Sequence, residues 1–203
     1  MYDYSSNYNP APWCSLNPAP TSLVLEEGIT YIGRYAFDNC FSFTGSLTIP
    51  NSVKSIGNEA FFNCSGFNGS LTIGNSVTSI GNYAFFECNK FTGDLTIPNS
   101  VTTIGAYAFY DCSGFTDIFF YRDTNPTIGS DAFSSINANV YTPVIWESFS
   151  NIPSGNLVKM ATFVGEQSAV SGQQSGWVFP EGMTEVSADD HVAINAPMVI
   201  SGQ

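Results

Sequence analysis

Cys40, Cys64, Cys88 and Cys112 stand 24 residues apart, and such a ladder of thiols could bind a metal, form disulfides or carry a nucleophile. Structural zinc needs four ligands converging tetrahedrally on one centre. Thiols that recur once per repeat lie in a line instead, which argues against a metal. Disulfides between neighbours are harder to dismiss, because Cα atoms about 4.8 Å apart fall inside the bridging range. Side chains stacked in parallel, however, keep their Cβ atoms about 4.8 Å apart, wider than the about 3.8 Å of a bridge. Packing fits best: a buried thiol behaves as a small hydrophobe with a weak donor. It can donate to a backbone carbonyl in the turn after the Ala-Phe pair that precedes each cysteine. Ile136, at the ladder step of the last copy, can pack there but neither ligate nor bridge. All four ladder thiols are therefore expected to be free. Cys14 lies off the ladder and is the candidate for an exposed or intermolecular thiol.

Other reactive groups are sparse. His191 is the one histidine and follows Asp189-Asp190, a pairing that would suit an acid-oriented base. No G-x-S-x-G elbow supplies it with a serine. Phosphate-loop, dinucleotide, H-E-x-x-H and EF-hand patterns are also missing. Glu26 and Glu27 are adjacent, so on a strand they point opposite ways, and they read as the surface of a capping coil. Asn63-Cys64-Ser65 and Asn68-Gly69-Ser70 match a glycosylation pattern that is short and frequent by chance. The expectation is a chain that is not an enzyme, with no catalytic residue, metal or cofactor.

The elements that position these residues follow from a period. Ile32, Ile56, Ile80, Ile104 and Ile128 keep the 24-residue step, each followed by glycine. So do five Ala-Phe pairs from Ala36-Phe37 to Ala132-Phe133, and Leu23, Leu47, Leu71 and Leu95, with Phe119 next. In "LTIPNSVTTIG", Leu95 and Ile97 alternate around Thr96 with strand period. Pro98-Asn99-Ser100 signals a turn, and Gly105 would permit a tight corner. "AYAFYDC" is too short for a stable helix and reads as one turn or a 3₁₀ segment. A single coil cannot bury its Leu, Ile and Phe, whereas stacked coils make one continuous core.

The sentence "LTIPxSVTxIGxxAFxxC" closely resembles the BspA-like, or Treponema pallidum type, leucine-rich repeat. The resemblance covers residues 20 to 134. It implies a right-handed solenoid of about five 24-residue coils with a parallel β-sheet and short 3₁₀ or helical turns. Departures are few: Gly74 replaces the proline, Glu26-Glu27-Gly28 replaces Pro-Asn-Ser, and the last copy has Asn125 for Val. The organisation expected is an N-terminal cap (1–21), the array (22–136), a capping unit (137–155) and an acidic, β-rich tail (156–203). In the capping unit Val140 and Tyr141 would add a strand. Thr142-Pro143 would start a helix whose Val144, Ile145, Trp146 and Phe149 cover the stack. "LVKMATFVG", "GWVFP" and "HVAINAPMVISG" in the tail read as short strands.

Composition excludes some partners. Net charge is −12, from 17 acids against 5 bases. Phosphate backbones demand cations, so nucleic acid is disfavoured, as is an anionic membrane surface. No apolar window is long enough for a transmembrane helix, and the first residues lack a signal-peptide pattern.

Functional information is left to the outward residues. Between the two inward anchors of each strand stand Val24, Thr48, Thr72, Thr96 and Phe120, preceded by Ser46, Ser70, Asp94 and Ile118 one step before the first anchor. Tyr35, Glu59, Tyr83, Tyr107 and Asp131 form a second ladder, and Phe62, Phe86 and Tyr110 a third that reads mainly as core or satellite core. The binding candidates are thus Thr48, Thr72, Thr96 and Phe120 on the strand face, and Tyr35, Tyr83 and Tyr107 on the aromatic ladder. Tyrosine gives large contact area at low entropic cost. The resemblance implies a surface or secreted, adhesin-like module that binds host or matrix proteins or other cells. A structural subunit of a surface filament or virus-like particle, self-assembling through the array and β tail, is the alternative.

Overall fold

The computed structural model describes residues 3–4, 11–16, 18–122, 124–143, 157–160, 162–164 and 176–178, the last three stretches as backbone. Two-residue strands mark the corners of the early coils: β1 (Tyr31–Ile32), β2 (Leu47–Thr48), β3 (Ser55–Ile56), β4 (Leu71–Thr72) and β5 (Ser79–Ile80). Then follow β6 (Gly93–Ile97), β7 (Thr103–Ile104), β8 (Phe115–Phe120), β9 (Thr127–Ile128), β10 (Asn139–Pro143) and β11 (Leu157–Met160). Strands β1, β3, β5, β7 and β9 form one parallel sheet in which Ile32, Ile56, Ile80, Ile104 and Ile128 stand in register. A second side of the coil pairs β2 with β4, and β6, β8, β10 and β11 in that order, again all parallel. This is the solenoid that the repeat implied. A separate antiparallel pair joins β12 (Thr162–Val164) to β13 (Gly176–Val178).

The core is a set of columns. Phe37, Phe61, Phe85, Phe109 and Phe133 stack with centroids 4.9 to 5.2 Å apart, and the Leu, Ile, Val and Ala columns are buried beside them. Phe43, Phe67, Phe91 and Phe115 make a further buried column. Their segment, "SGFNG" in one coil, has the composition of a plain turn. Each of these phenylalanines lies three residues after a cysteine and closes the last side of the coil.

Several expectations change. The Ala-Phe segment is a run of turns rather than a 3₁₀ helix; among the described residues the 3₁₀ element is Pro12–Ser15. Alternate N–H groups of the run point to the next coil: Tyr35, Phe37 and Asn39 donate to the carbonyls of Asn58, Ala60 and Phe62 at 3.1, 2.7 and 2.8 Å. Those of Ala36, Asp38 and Cys40 close back on Gly33, Tyr35 and Phe37. A 3₁₀ helix would satisfy its own donors and leave nothing to tie coil to coil. The glycine after each Ile is also explained differently. Ile-Gly lies where coils approach too closely for a side chain: a Cβ on Gly57 would stand 2.7 Å from the Arg34 backbone nitrogen, and on Gly81 2.5 Å from that of Asn58.

The fifth coil slips. Leu95 pairs with Ile118, not Phe119, and Thr96 with Phe119. Ile118 and Phe120 are consequently buried, against their expected outward places. The strand arrives one residue early, and an extra residue before β9 restores the 24-residue step. The next coils are shorter still: Val140 sits opposite Ile118, and Leu157 opposite Val140. Val140 and Tyr141 do add a strand, but Thr142 and Pro143 belong to it too rather than to a helix. The expected cover of Val144, Ile145, Trp146 and Phe149 lies outside the described residues. Of the tail strands, β11, β12 and β13 fall on the first two segments named, and the third lies outside.

The first coil is closed from below. Trp13, 24 residues before Phe37, tilts against it with centroids 5.6 Å apart, and its Nε1–H donates to the Ala36 carbonyl at 2.7 Å. Glu27, one period before Asn51, accepts the N–H groups of Asn51 and Ser52 at 3.0 and 2.9 Å. Asn51 Oδ1 does the same for Asn75 one coil on. Leu23 and Leu25 are only partly buried and form no strand.

Candidate functional site

The cysteine ladder resolves into packing plus one bridge. Cys64, Cys88 and Cys112 are free and buried. Their thiols donate to the carbonyls of Phe37, Phe61 and Phe85 one coil below, at 2.9, 3.1 and 3.0 Å. Burial pushes the Cys88 thiol up to about 12, and raises Cys64 and Cys112 for the same reason. Protonated at neutral pH and sealed from solvent, none of the three can act as a nucleophile. Cys40 corrects the expectation of a fully free ladder, because it is disulfide-bonded to Cys14 with Cα atoms 4.9 Å apart. The reason is position. At Cys40 the N-terminal segment takes the place of a preceding coil, packing Trp13 on Phe37 and bringing Cys14 within bridging distance. Cys14 is thus neither exposed as a thiol nor intermolecular. His191 lies outside the described residues.

On the strand face Thr48 and Thr72 pair in register and are exposed, as is Thr96. The fourth candidate, Phe120, is in the core. Phe119 takes its place opposite Thr96, and Tyr141 follows with its ring 4.6 Å from that of Phe119 and nearly parallel. The face therefore runs from hydroxyls to stacked aromatics. Only the count across the slipped coil concealed Phe119 and Tyr141 from the sequence reading.

The aromatic ladder has an unusual backbone. Tyr35, Glu59, Tyr83, Tyr107 and Asp131 all adopt φ between 53 and 57°. Four residues further on, Asn39, Asn63, Glu87, Asp111 and Ser135 lie between 51 and 62°. This left-handed conformation is disfavoured for bulky side chains. Tyr83 and Tyr107 stack at 5.0 Å within 7° of parallel, both half-buried. Phe62, Phe86 and Tyr110 stack at 4.9 and 5.0 Å beside them. All three are half-buried, at the edge of the core, and Phe86 tilts against Tyr83 at 5.5 Å and Tyr110 against Tyr107 at 5.7 Å. The result is one patch of five rings, edged by Glu87, Asp111 and Asp131. Tyr35 stands apart, since Glu59 occupies the coil between it and Tyr83. Asp131 raises the hydroxyl pKa of Tyr107 through its charge and a hydrogen bond.

Among the described residues no helix is long and apolar enough to cross a membrane. Compared with known protein families, residues 30–159 match the BspA type leucine rich repeat region in six copies, well over half of the chain. The matched span runs on through β10 and into β11, past the five coils that a strict 24-residue count finds. No curated protein and no solved structure matches.

Proposed function

The chain belongs to the BspA-type leucine-rich repeat family, and from that premise we propose that it is a non-enzymatic protein-recognition module, surface-exposed or secreted, that holds partners on its repeat face. The observation that carries this reading is the pair Tyr83 and Tyr107. Their backbone conformation favours Gly or Asn, and Glu59 and Asp131 fill the same step in other coils. The fold therefore does not require tyrosine there. What tyrosine adds is a flat, half-exposed aromatic surface of the kind enriched where proteins meet. Thr48, Thr72, Thr96, Phe119 and Tyr141 offer a second ribbon on the strand face.

The test is capture by candidate matrix proteins and cell surfaces, comparing the natural chain with Tyr83→Ala/Tyr107→Ala at matched thermal midpoint. Retention that falls about tenfold or more in the variant supports recognition through this face, since central aromatic anchors each cost about 2 kcal/mol or more when truncated. Equal retention rejects the face, and no retention on any surface rejects the adhesin-like role. Light scattering across the micromolar range checks the structural-subunit alternative, which needs assembly without a ligand.

A further inference from the structure

Arg34 shows what the aromatic ladder can hold. Its guanidinium carbon lies 4.7 Å from the centroid of the Tyr35 ring. Its Nη2 donates to the Tyr35 hydroxyl at 2.9 Å and stands 3.7 Å from the Glu59 carboxylate. Glu59 is the residue one coil on from Tyr35 in the left-handed ladder. In the first coil, then, a cation sits on an aromatic ring with its counter-charge supplied from the coil above.

Ring and carboxylate recur at Tyr107 and Asp131, which are again one coil apart, both accessible, and close enough for the carboxylate to act on the Tyr107 hydroxyl. The cation does not recur. At the step of Arg34 the later coils carry Asn58, Asn82, Ala106 and Ser130. Asn58 and Asn82 spend their side-chain oxygens on the backbone N–H groups of Asn82 and Ala106. Among the described residues no Lys or Arg occupies a left-handed position, whereas Glu87, Asp111 and Asp131 do. A face with rings in its middle and carboxylates at its edge, on a chain of net charge −12, attracts cations by field and by ring quadrupole together.

We propose that Tyr107 and Asp131, with the stacked ring of Tyr83 beside them, form a binding site for an arginine side chain on a basic segment of the partner protein. The guanidinium would lie over the Tyr107 ring and pair with Asp131, as Arg34 does with Tyr35 and Glu59. This deepens the reading of the aromatic ladder as the recognition surface and rests on it.

The probe is a short capped peptide of alternating glycine and arginine, with a control in which neutral citrulline replaces each arginine. Binding is followed by NMR of the tyrosine ring protons, at low and at physiological salt. The arginine peptide should bind and the citrulline peptide should not. Tyr107→Leu keeps apolar bulk but removes the ring, and should weaken binding by about five- to thirtyfold, the scale of one cation–π contact. Asp131→Asn should weaken it and flatten its salt dependence. Ala106→Arg installs the internal cation, and should block the peptide while leaving the thermal midpoint close to that of the natural chain. No arginine binding at low salt, equal binding of citrulline, or binding indifferent to Ala106→Arg would each overturn the proposal. Surface capture that needs Tyr83 and Tyr107 without arginine preference sinks this inference alone. Arginine binding with no captured surface sinks the adhesin-like reading alone.

Discussion

Cys88 donates its S–H in a hydrogen bond to the Phe61 carbonyl 3.1 Å away, and that contact turns a column of reactive-looking groups into mortar between coils. Under denaturing, non-reducing conditions thiol titration should find three free cysteines, and five after reduction; five before reduction would remove the Cys14–Cys40 bridge. The spacing of the ladder was readable because packing repeats with the coil. The bridge was not, because Cys14 keeps no period with Cys40. The available signal was Trp13, which does keep the period with Phe37. Single carboxyls set the pH response. Burial and then the charge of Glu59 raise Asp38 to about 6, so folded Asp38 holds its proton where the unfolded chain has lost it, and stability falls as pH rises through about 6. Asp3 and Glu27 are lowered, chiefly by the backbone N–H groups of Arg34 and Asn51; their stabilisation is present above the unfolded value and lost as pH falls through the lowered one. The thermal midpoint should peak between about pH 4 and pH 6. Asp38→Asn should remove the decline from pH 5 to pH 7, and a midpoint that climbs from pH 6 to pH 8 in the natural chain would contradict this account.

At the scale of the element, each coil is made by contacts to its neighbours. Gly81→Ala places a methyl group against the Asn58 backbone 2.5 Å away, and should cost about 1–3 kcal/mol in denaturant unfolding as two coils are forced apart. An unchanged midpoint would mean the coils are not so closely seated. Leu71→Asp puts an unpaired charge between Leu47 and Leu95 and should cost about 4 kcal/mol or more; a small shift would show that the register is wrong. Strands and columns were legible because Leu, Ile and Phe recur at fixed steps. The turn run was not, because Tyr and Glu at positive φ contradict their own preferences. Asn39, Asn63 and Asp111, residues that tolerate this conformation, were the clue to it. The slip in the fifth coil hid for a different reason: one residue lost within the first part of β8 and one gained before β9 leave the outer 24-residue spacing intact, so Phe120 counted as outward while packing inward.

For the whole molecule, the repeat fixes a stack and leaves its surfaces to vary. Hydroxyls end in Phe119 and Tyr141 on one ribbon, and rings edged by carboxylates make the other. The sequence showed that these ladders exist, and Tyr83 and Tyr107 stand where it placed them. It did not show that their rings join Phe62, Phe86 and Tyr110 in one patch, because that depends on the bend of each turn. The most direct check of recognition through this patch is hydroxyl-radical footprinting of the chain, free and bound to a surface that captures it. Protection concentrated on Tyr83, Phe86 and Tyr107, with exposed Phe41 and Leu16 unchanged, is the result predicted. Unaltered oxidation of the aromatic patch, with protection elsewhere, would contradict it.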